Sequence, residues 1–290
     1  MLKKRLIACL LLHDGLIVQS FGFNRYLPLG RPRFPIEFLV KWDVDEIILL
    51  DMHASRQDRG PDESVLGALS ENCFVPLTVG GGIDSVERVR SVIRAGADKV
   101  CLNHHAVARP SLITEIADSF GTQCAVVSID CRKESDDHYQ VYTNSGKTPT
   151  GLDPPAWAAK CEQLGAGEIF VNSIDRDGSR MGYDVVLIQS IAKAVGIPVI
   201  ACGGVGNMEH FAQGIQAGAS AVAAANIFQH TEHSTILAKA HMLKSGIDVR
   251  LDSAATYEDR EFDENGRLVM LSNERLMDID MQQMQETSPL

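Results

Sequence analysis

The strongest constraint on this chain is a repeat. Residues 75–106, VPLTVGGGIDSVERVRSVIRAGADKVCLNHHA, return as residues 197–228, IPVIACGGVGNMEHFAQGIQAGASAVAAANIF. Pro76 aligns with Pro198, Gly81 with Gly203 and Gly96 with Gly218, each pair 122 positions apart. The register extends outward, because EIILLDMHAS from Glu46 aligns with EIFVNSIDRD from Glu168 at the same offset. One constant offset across most of a half-chain implies two fused copies of a βα unit.

Each copy has the same grammar. A short apolar run (Pro76–Val79; Pro198–Cys202) reads as a strand buried on both faces. Glycines follow at once, then a helical pattern, then Ala-Gly-Ala and another apolar strand, as parallel α/β proteins require. Glycine at the carboxyl end of a strand lets bare backbone N–H groups approach a ligand, and a helix N-terminus behind them favours an anion. Two such loops, Gly81-Gly82 and Gly203-Gly204, suggest one small ligand with two phosphates. The plainer alternative is that these glycines only make tight turns.

The rest of the chain continues the alternation. Strands are expected at Arg5–Leu12, Glu46–Asp51, Cys124–Asp130 and Glu168–Ser173, beside the four in the repeat blocks. Helices are expected at Pro35–Trp42, Glu63–Asn72, Pro110–Phe120, Asp153–Leu164, Asp184–Ala194 and His233–Ser245, and one inside each block. Leu16–Arg33 reads as a long loop of the kind that covers active sites, and Lys133–Lys147 as a small exposed hairpin. Eight strands each followed by a helix define an α/β protein, a (β/α)8 TIM barrel built from two fused half-barrels. Its active site belongs at the carboxyl ends of the strands. An open doubly wound sheet is the competing architecture and accounts less well for the fused halves. The barrel is assigned to residues 1–251 and an acidic, disordered tail to 252–290. A partner-binding segment around Leu268–Met277 is the alternative for part of that tail.

Charge excludes some functions. The net charge of −11 argues against nucleic acid and anionic membranes. From Leu251 onward ten acids face three arginines, so the tail carries much of the excess. There is no apolar run of transmembrane length and no signal-peptide pattern. Seven cysteines without a CxxC pair read as small buried hydrophobes in a reducing cytoplasm. No metal and no organic cofactor is implied.

Asp130 ends an apolar strand, where a carboxylate at the barrel mouth is a candidate general base; capping of the next loop is the alternative. Asp51 is similar but weaker. Asp177-Gly178 holds the place of Ser55 in the other half and is expected to complete a loop near the second phosphate. At the opposite end, Arg5, Glu46, Lys99 and Glu168 lie near the amino ends of four strands. Two acids and two bases there could form a ring across the floor. Solvated turn charges are the simpler reading of those four positions by themselves.

RLIACL, the TVGGGI loop, AGADKV, SLITEIADSFG, SGKTPTG, GAGEI, SIDRDGSRMGYD and GGVGNMEHF, in this order, resemble the blocks of the cyclase subunit of imidazole glycerol phosphate synthase, the HisF family. The resemblance covers Met1 to about Leu251. It implies a half-barrel duplication that binds a bis-phosphorylated ribulosyl substrate at the mouth and receives ammonia through the barrel from a HisH-type glutaminase docked beneath. By position it implies that Arg5, Glu46, Lys99 and Glu168 form the ammonia gate. It places Asp98 at the glutaminase interface and makes Asp130 one of two catalytic aspartates. Gly81, Gly82, Asn103, His104, Asp177, Gly178, Gly203, Gly204 and Asn226 would line the phosphate sites.

The departures from that pattern lie at the mouth. The family reads ACLDVKDG where this chain reads Ala8-Cys9-Leu10-Leu11-Leu12-His13-Asp14-Gly15, so Leu11 stands where the second aspartate belongs. Gln19 replaces a lysine, and His104, Asn172 and Asn226 replace small hydroxyl residues. This start resembles the WbuZ-like paralogs associated with glycosyl amidation, which work with a HisH-type glutaminase and a separate sugar amidotransferase on surface polysaccharide. The expected function is therefore ammonia passage for sugar amidation. The alternatives are a true cyclase making imidazole glycerol phosphate and AICAR, with Asp130 alone or helped by Asp14 or His13, and a non-catalytic scaffold whose tail recruits a partner. An isomerase of the HisA type fits less well without a strand-1 carboxylate.

Overall fold

The computed structural model describes residues 3–135, 138–229, 231–257, 260–264 and 266–272. Eight parallel strands close on themselves: β1 (Arg5–His13), β2 (Glu46–Asp51), β3 (Leu77–Gly80), β4 (Lys99–Leu102), β5 (Ala125–Ser135), β6 (Glu168–Ser173), β7 (Val199–Cys202) and β8 (Ala221–Ala224). Each pairs with the next, and β8 returns to β1 in the register Arg5↔Ala221 to Ala8↔Ala224. Closure removes both sheet edges. The eight covering helices are α1 (Arg33–Lys41), α2 (Glu63–Ser70), α3 (Val86–Arg94), α4 (Ser111–Phe120), α5 (Pro154–Gln163), α6 (Val185–Ala194), α7 (Glu209–Gln216) and α8 (Ser234–Lys244). The expected (β/α)8 barrel is what forms.

The strands are apolar on both faces because each face meets a different core. Ile47 and Leu49 of β2 pack outward under the helices, whereas Ile48 packs inward with Ile7, Val126, Phe170 and Ile200. Helix starts follow local chemistry. The Asp153 carboxylate accepts the Ala156 N–H at 3.1 Å and Pro154 opens α5; Ser85 caps α3 by accepting the Arg88 N–H at 3.3 Å.

The duplication is visible in the backbone. β2 and β6, β3 and β7, and β4 and β8 have boundaries displaced by the same 122 positions. Left-handed residues repeat with them: Gly81 and Gly203, Phe23 and Ser145, Asp58 and Arg180 all have positive φ. The stretch expected as a long loop is a hairpin instead, Leu16–Phe21 antiparallel to both β1 and Arg25–Gly30. Asp14 (φ 48°) and Gly15 (φ 77°) make the two-residue turn that such a hairpin favours. The other half repeats the device, since His138–Thr143 returns antiparallel along β5, within the hairpin expected at Lys133–Lys147.

Two features outside the barrel strands went unread in the sequence. Lys239 of α8 is fully buried, its ammonium donating to the Asp43 carbonyl, to Asp43 Oδ2 at 3.1 Å and to Asp45 Oδ1 at 2.8 Å. Described residues of the segment expected as a disordered tail, among them Tyr257, Phe262 and Gly266, lie against the barrel. Tyr257 Oη meets His233 Nδ1 at 2.8 Å, Phe262 packs on His241, and Gly266 is buried against Glu209. Apolar Phe262 and Leu268, which form a β-bridge, give this acidic segment a face to bury. Residues 273–290, including the end of the Leu268–Met277 segment, lie outside the described residues. Among the described residues no helix is long and apolar enough to cross a membrane.

Candidate active site

Alternation along the closed strands decides what faces the lumen. In β1 the inward residues are Arg5, Ile7, Cys9 and Leu11, so Arg5 lies at the floor and Leu11 at the mouth. The same rule brings Glu46, Lys99 and Glu168 to the floor. There Arg5 Nη1 donates to Glu46 Oε1 at 2.6 Å and to Glu168 Oε1 at 3.0 Å, and Lys99 Nζ donates to Glu46 Oε2 and Glu168 Oε1, both at 3.2 Å. The four charges form a closed, alternating ring. Mutual pairing is what permits charges to sit in so little water. Asp98, also at this end, is exposed and accepts the Leu77 N–H at 2.8 Å.

Above the ring the lumen is apolar, walled by Ile7, Ile48, Val126, Phe170 and Ile200 and narrowed little by Ala221 and Ala223. Cys9, Cys101 and Cys202 form its upper part; burial raises the Cys101 thiol far above its usual range, and a hydrogen bond with Cys9, then burial, raises that of Cys202. They are inert packing groups, in keeping with seven free cysteines and no disulfide among the described residues.

At the mouth lies a cavity of about 130 Å³. Asp130 on β5 faces it, accepting from Asn103 Nδ2 at 3.1 Å and Ser128 Oγ at 3.2 Å. Burial, opposed by the Ser128 hydroxyl and reinforced by nearby Asp177, pushes the Asp130 carboxyl from 3.8 up to about 7. A carboxyl poised there can hold or release a proton near neutral pH. Leu11 lines the same cavity with Leu50. Asp14 and His13 do not line it; Asp14 is exposed at the rim, 3.2 Å from His53 Nδ1. Asp51 is committed elsewhere, accepting from Arg59 Nη1 at 2.6 Å and from the His53 and Ala54 N–H groups at 3.2 Å. It fixes the loop after β2.

The two glycine loops flank this cavity. A Cβ on Gly82 would stand 1.9 Å from the Arg59 carbonyl, and one on Gly204 2.2 Å from the Gly182 carbonyl. Only glycine fits either place, so tight packing is one reason for these residues. The Gly82 N–H donates to Ser55 Oγ at 2.9 Å. His104 and His105 stand beside this first loop. The His104 Nδ1 is buried and has no hydrogen-bond partner among the described residues, and burial together with neighbouring His104 lowers His105 below its ordinary value. The second loop opens on a cavity of about 730 Å³, lined by Asp177, Gly178, Arg180, Gly203, Gly204, Asn226 and, from the C-terminal segment, Arg267.

Two residues expected to line the phosphate sites hold the hairpin. Asn226 Nδ2 donates to the Ser20 carbonyl at 2.8 Å while its Oδ1 accepts the Ser20 N–H at 3.3 Å. Asp177 Oδ2 accepts from Ser20 Oγ at 2.6 Å and from the Phe23 N–H at 3.1 Å. Together they draw Ser20 and Phe23 over the mouth. Asn103 donates its amide to Asp130. Asn172 faces the cavity with a buried Oδ1 that has no hydrogen-bond partner among the described residues, a donor-seeking atom beside Asp130's strand. Ser128 was missed by the sequence reading. Its signal was present, because it sits two residues before Asp130 on the same strand face.

Comparison with known proteins agrees with this fold. Residues 5–235 match the family described as histidine biosynthesis protein. A protein of Vibrio vulnificus (strain YJ016), provisionally named imidazole glycerol phosphate synthase subunit hisF2, is 47% identical over 268 residues, covering 92% of this chain and 98% of its own. The imidazole glycerol phosphate synthase subunit HisF of Chloroherpeton thalassium is 46% identical over 252 residues, covering 87% of this chain and all of its own.

Proposed function

The chain belongs to the histidine biosynthesis protein family, as a HisF-type barrel, and on that premise we propose that it carries ammonia from a HisH-type glutaminase at its floor to a phosphorylated acceptor at its mouth. The observation that carries this reading is the closed ring of Arg5, Glu46, Lys99 and Glu168 beneath an apolar lumen. An ammonium ion entering that lumen would lose its hydration at a cost of several kcal/mol. Neutral ammonia loses far less, so the lumen selects the reactive form. The ring seals the floor until a docked partner displaces one of its arms, and exposed Asp98 offers that partner a carboxylate beside it.

Leu11 supports the finer reading that the acceptor is a sugar, amidated by a separate enzyme of surface-polysaccharide synthesis. With Leu11 in the cavity, Asp130 has no second inward carboxylate opposite it on β1, and loss of one acid–base group typically removes ~10²–10⁴ in rate. Asp130, titrating at about 7 between Ser128 and Asn103, favours the second reading, a cyclase that works with one carboxyl. Two measurements separate these. Glutamine hydrolysis by a HisH-type glutaminase should rise when this chain is added; no complex and no stimulation would end the ammonia reading. With the bis-phosphorylated ribulosyl substrate and ammonium salt, the wild type should form little imidazole glycerol phosphate, and Leu11→Asp should raise its formation at least tenfold. Wild-type turnover matching that of Leu11→Asp would favour the cyclase.

A further inference from the structure

Three side chains from two loops converge at the rim above Leu11. His13 ends β1, Asp14 begins the turn after it, and His53 follows β2. His13 Nδ1 lies 3.4 Å from Asp14 Oδ2, and His53 Nδ1 lies 3.2 Å from Asp14 Oδ1. All three potential ligand atoms are within 4.8 Å of one another. We propose that His13, Asp14 and His53 form a binding site for one divalent transition-metal ion of the zinc class. The imidazoles ligate through Nδ1, the carboxylate through one oxygen, and a fourth position stays open to water.

The distances fit the ion. Zinc bonds of about 2.0–2.1 Å to nitrogen and oxygen in a tetrahedron place neighbouring ligand atoms roughly 3.3–3.5 Å apart. Both measured separations are of that size, but they run to opposite oxygens of Asp14, so ligation through one oxygen requires that exposed carboxylate to turn between the two rings. The donor set also selects the metal: two imidazoles and one carboxylate suit zinc, cobalt or nickel, whereas magnesium and calcium take oxygen ligands. The site is held from behind. His13 packs on the ring of Tyr26 with centroids 5.5 Å apart, and the His53 N–H is anchored on Asp51 Oδ1. The two imidazoles stand 4.1 Å apart, centre to centre.

Without metal, Asp14 would simply accept an N–H from each ring. The two arrangements differ in tautomer: that hydrogen-bonded state puts the protons on Nδ1, and ligation through Nδ1 puts them on Nε2. The site stands independently of the ammonia reading. It would place a metal-bound water, of the kind that titrates near pH ~7, on the strand that carries Leu11.

The test uses the full chain without an affinity tag, titrated with Co²⁺ and then Zn²⁺. One Co²⁺ per chain should bind at micromolar concentration, with the visible absorption of a tetrahedral nitrogen–oxygen site and no thiolate band. His13→Ala, Asp14→Asn and His53→Ala should each weaken binding on the order of 100-fold or more, while Cys73→Ser leaves it unchanged. Nitrogen-15 spectra should show His13 and His53 as Nε2–H tautomers once Zn²⁺ is added. All three ligands lie at the accessible rim, so each variant should keep the melting temperature of the parent. No saturable binding to the parent would overturn the proposal. So would unchanged binding in the folded His13→Ala and His53→Ala variants.

Discussion

Asp130→Asn should make the protein more stable at alkaline pH and leave its acid stability almost unaltered. The carboxyl titrates at about 7 in the folded chain, against 3.8 ordinarily. Between about pH 4 and about pH 7 the folded protein therefore keeps a proton that the unfolded chain has released, and stability falls as pH rises through that window. Below it both states are protonated and the penalty vanishes. Above it the penalty is complete, and a displacement from 3.8 to about 7 is worth roughly 4 kcal/mol. The amide that replaces the carboxyl cannot ionise, so the variant escapes the penalty while still offering Ser128 and Asn103 a polar partner. Asp177, also raised by burial, contributes to both proteins, which is why the difference between them is the quantity to measure. Urea unfolding from pH 4 to pH 8.5 should give curves that separate by about 3–4 kcal/mol toward the alkaline end. A difference constant to within about 1 kcal/mol across that range would refute the buried, proton-holding carboxyl, and with it the case for Asp130 as a base tuned near neutrality.

Lys99→Met should cost about 2–4 kcal/mol, because it leaves Glu46 and Glu168 sharing Arg5 alone in a mostly buried ring. A double-mutant cycle with Glu46→Gln checks it, and a coupling near zero would mean that the ring behaves as a surface pair. Gly82→Ala should lower the melting temperature sharply and weaken inorganic phosphate binding at the first loop, since its Cβ would meet the Arg59 carbonyl at 1.9 Å at a φ of +64°; unchanged thermal denaturation would contradict that packing.

Much of the site was legible because the barrel translates sequence spacing directly into height. Glu46 and Glu168 each open a strand and fall on the floor, while Asp130 ends its inward run and falls at the mouth. What could not be read was where polar side chains discharge their hydrogen bonds. Asn226 and Asp177, expected to line phosphate sites, grip Ser20 and Phe23, between 154 and 206 residues away in sequence. The hairpin itself was signalled by Asp14-Gly15, but Gly22, Pro28, Gly30 and Pro32 made the segment look like loop. Pro28 is tolerated there because Arg25–Gly30 is the outer strand of the hairpin. Lys239 gave no signal, because a lone lysine in a helix is ordinarily solvated.

By itself, the sequence determined the duplication, the eight apolar strands and the glycine turns, since these depend on local backbone chemistry repeated at a fixed spacing. The tertiary structure alone decided which charges meet. Closing the sheet brings Arg5, Glu46, Lys99 and Glu168 within hydrogen-bonding distance although they are spread over more than half the chain. The same closure removes water from Asp130 and gathers His13, Asp14 and His53 at one rim. Desolvation and pairing act through space, and no one-dimensional pattern carries the distances on which they depend.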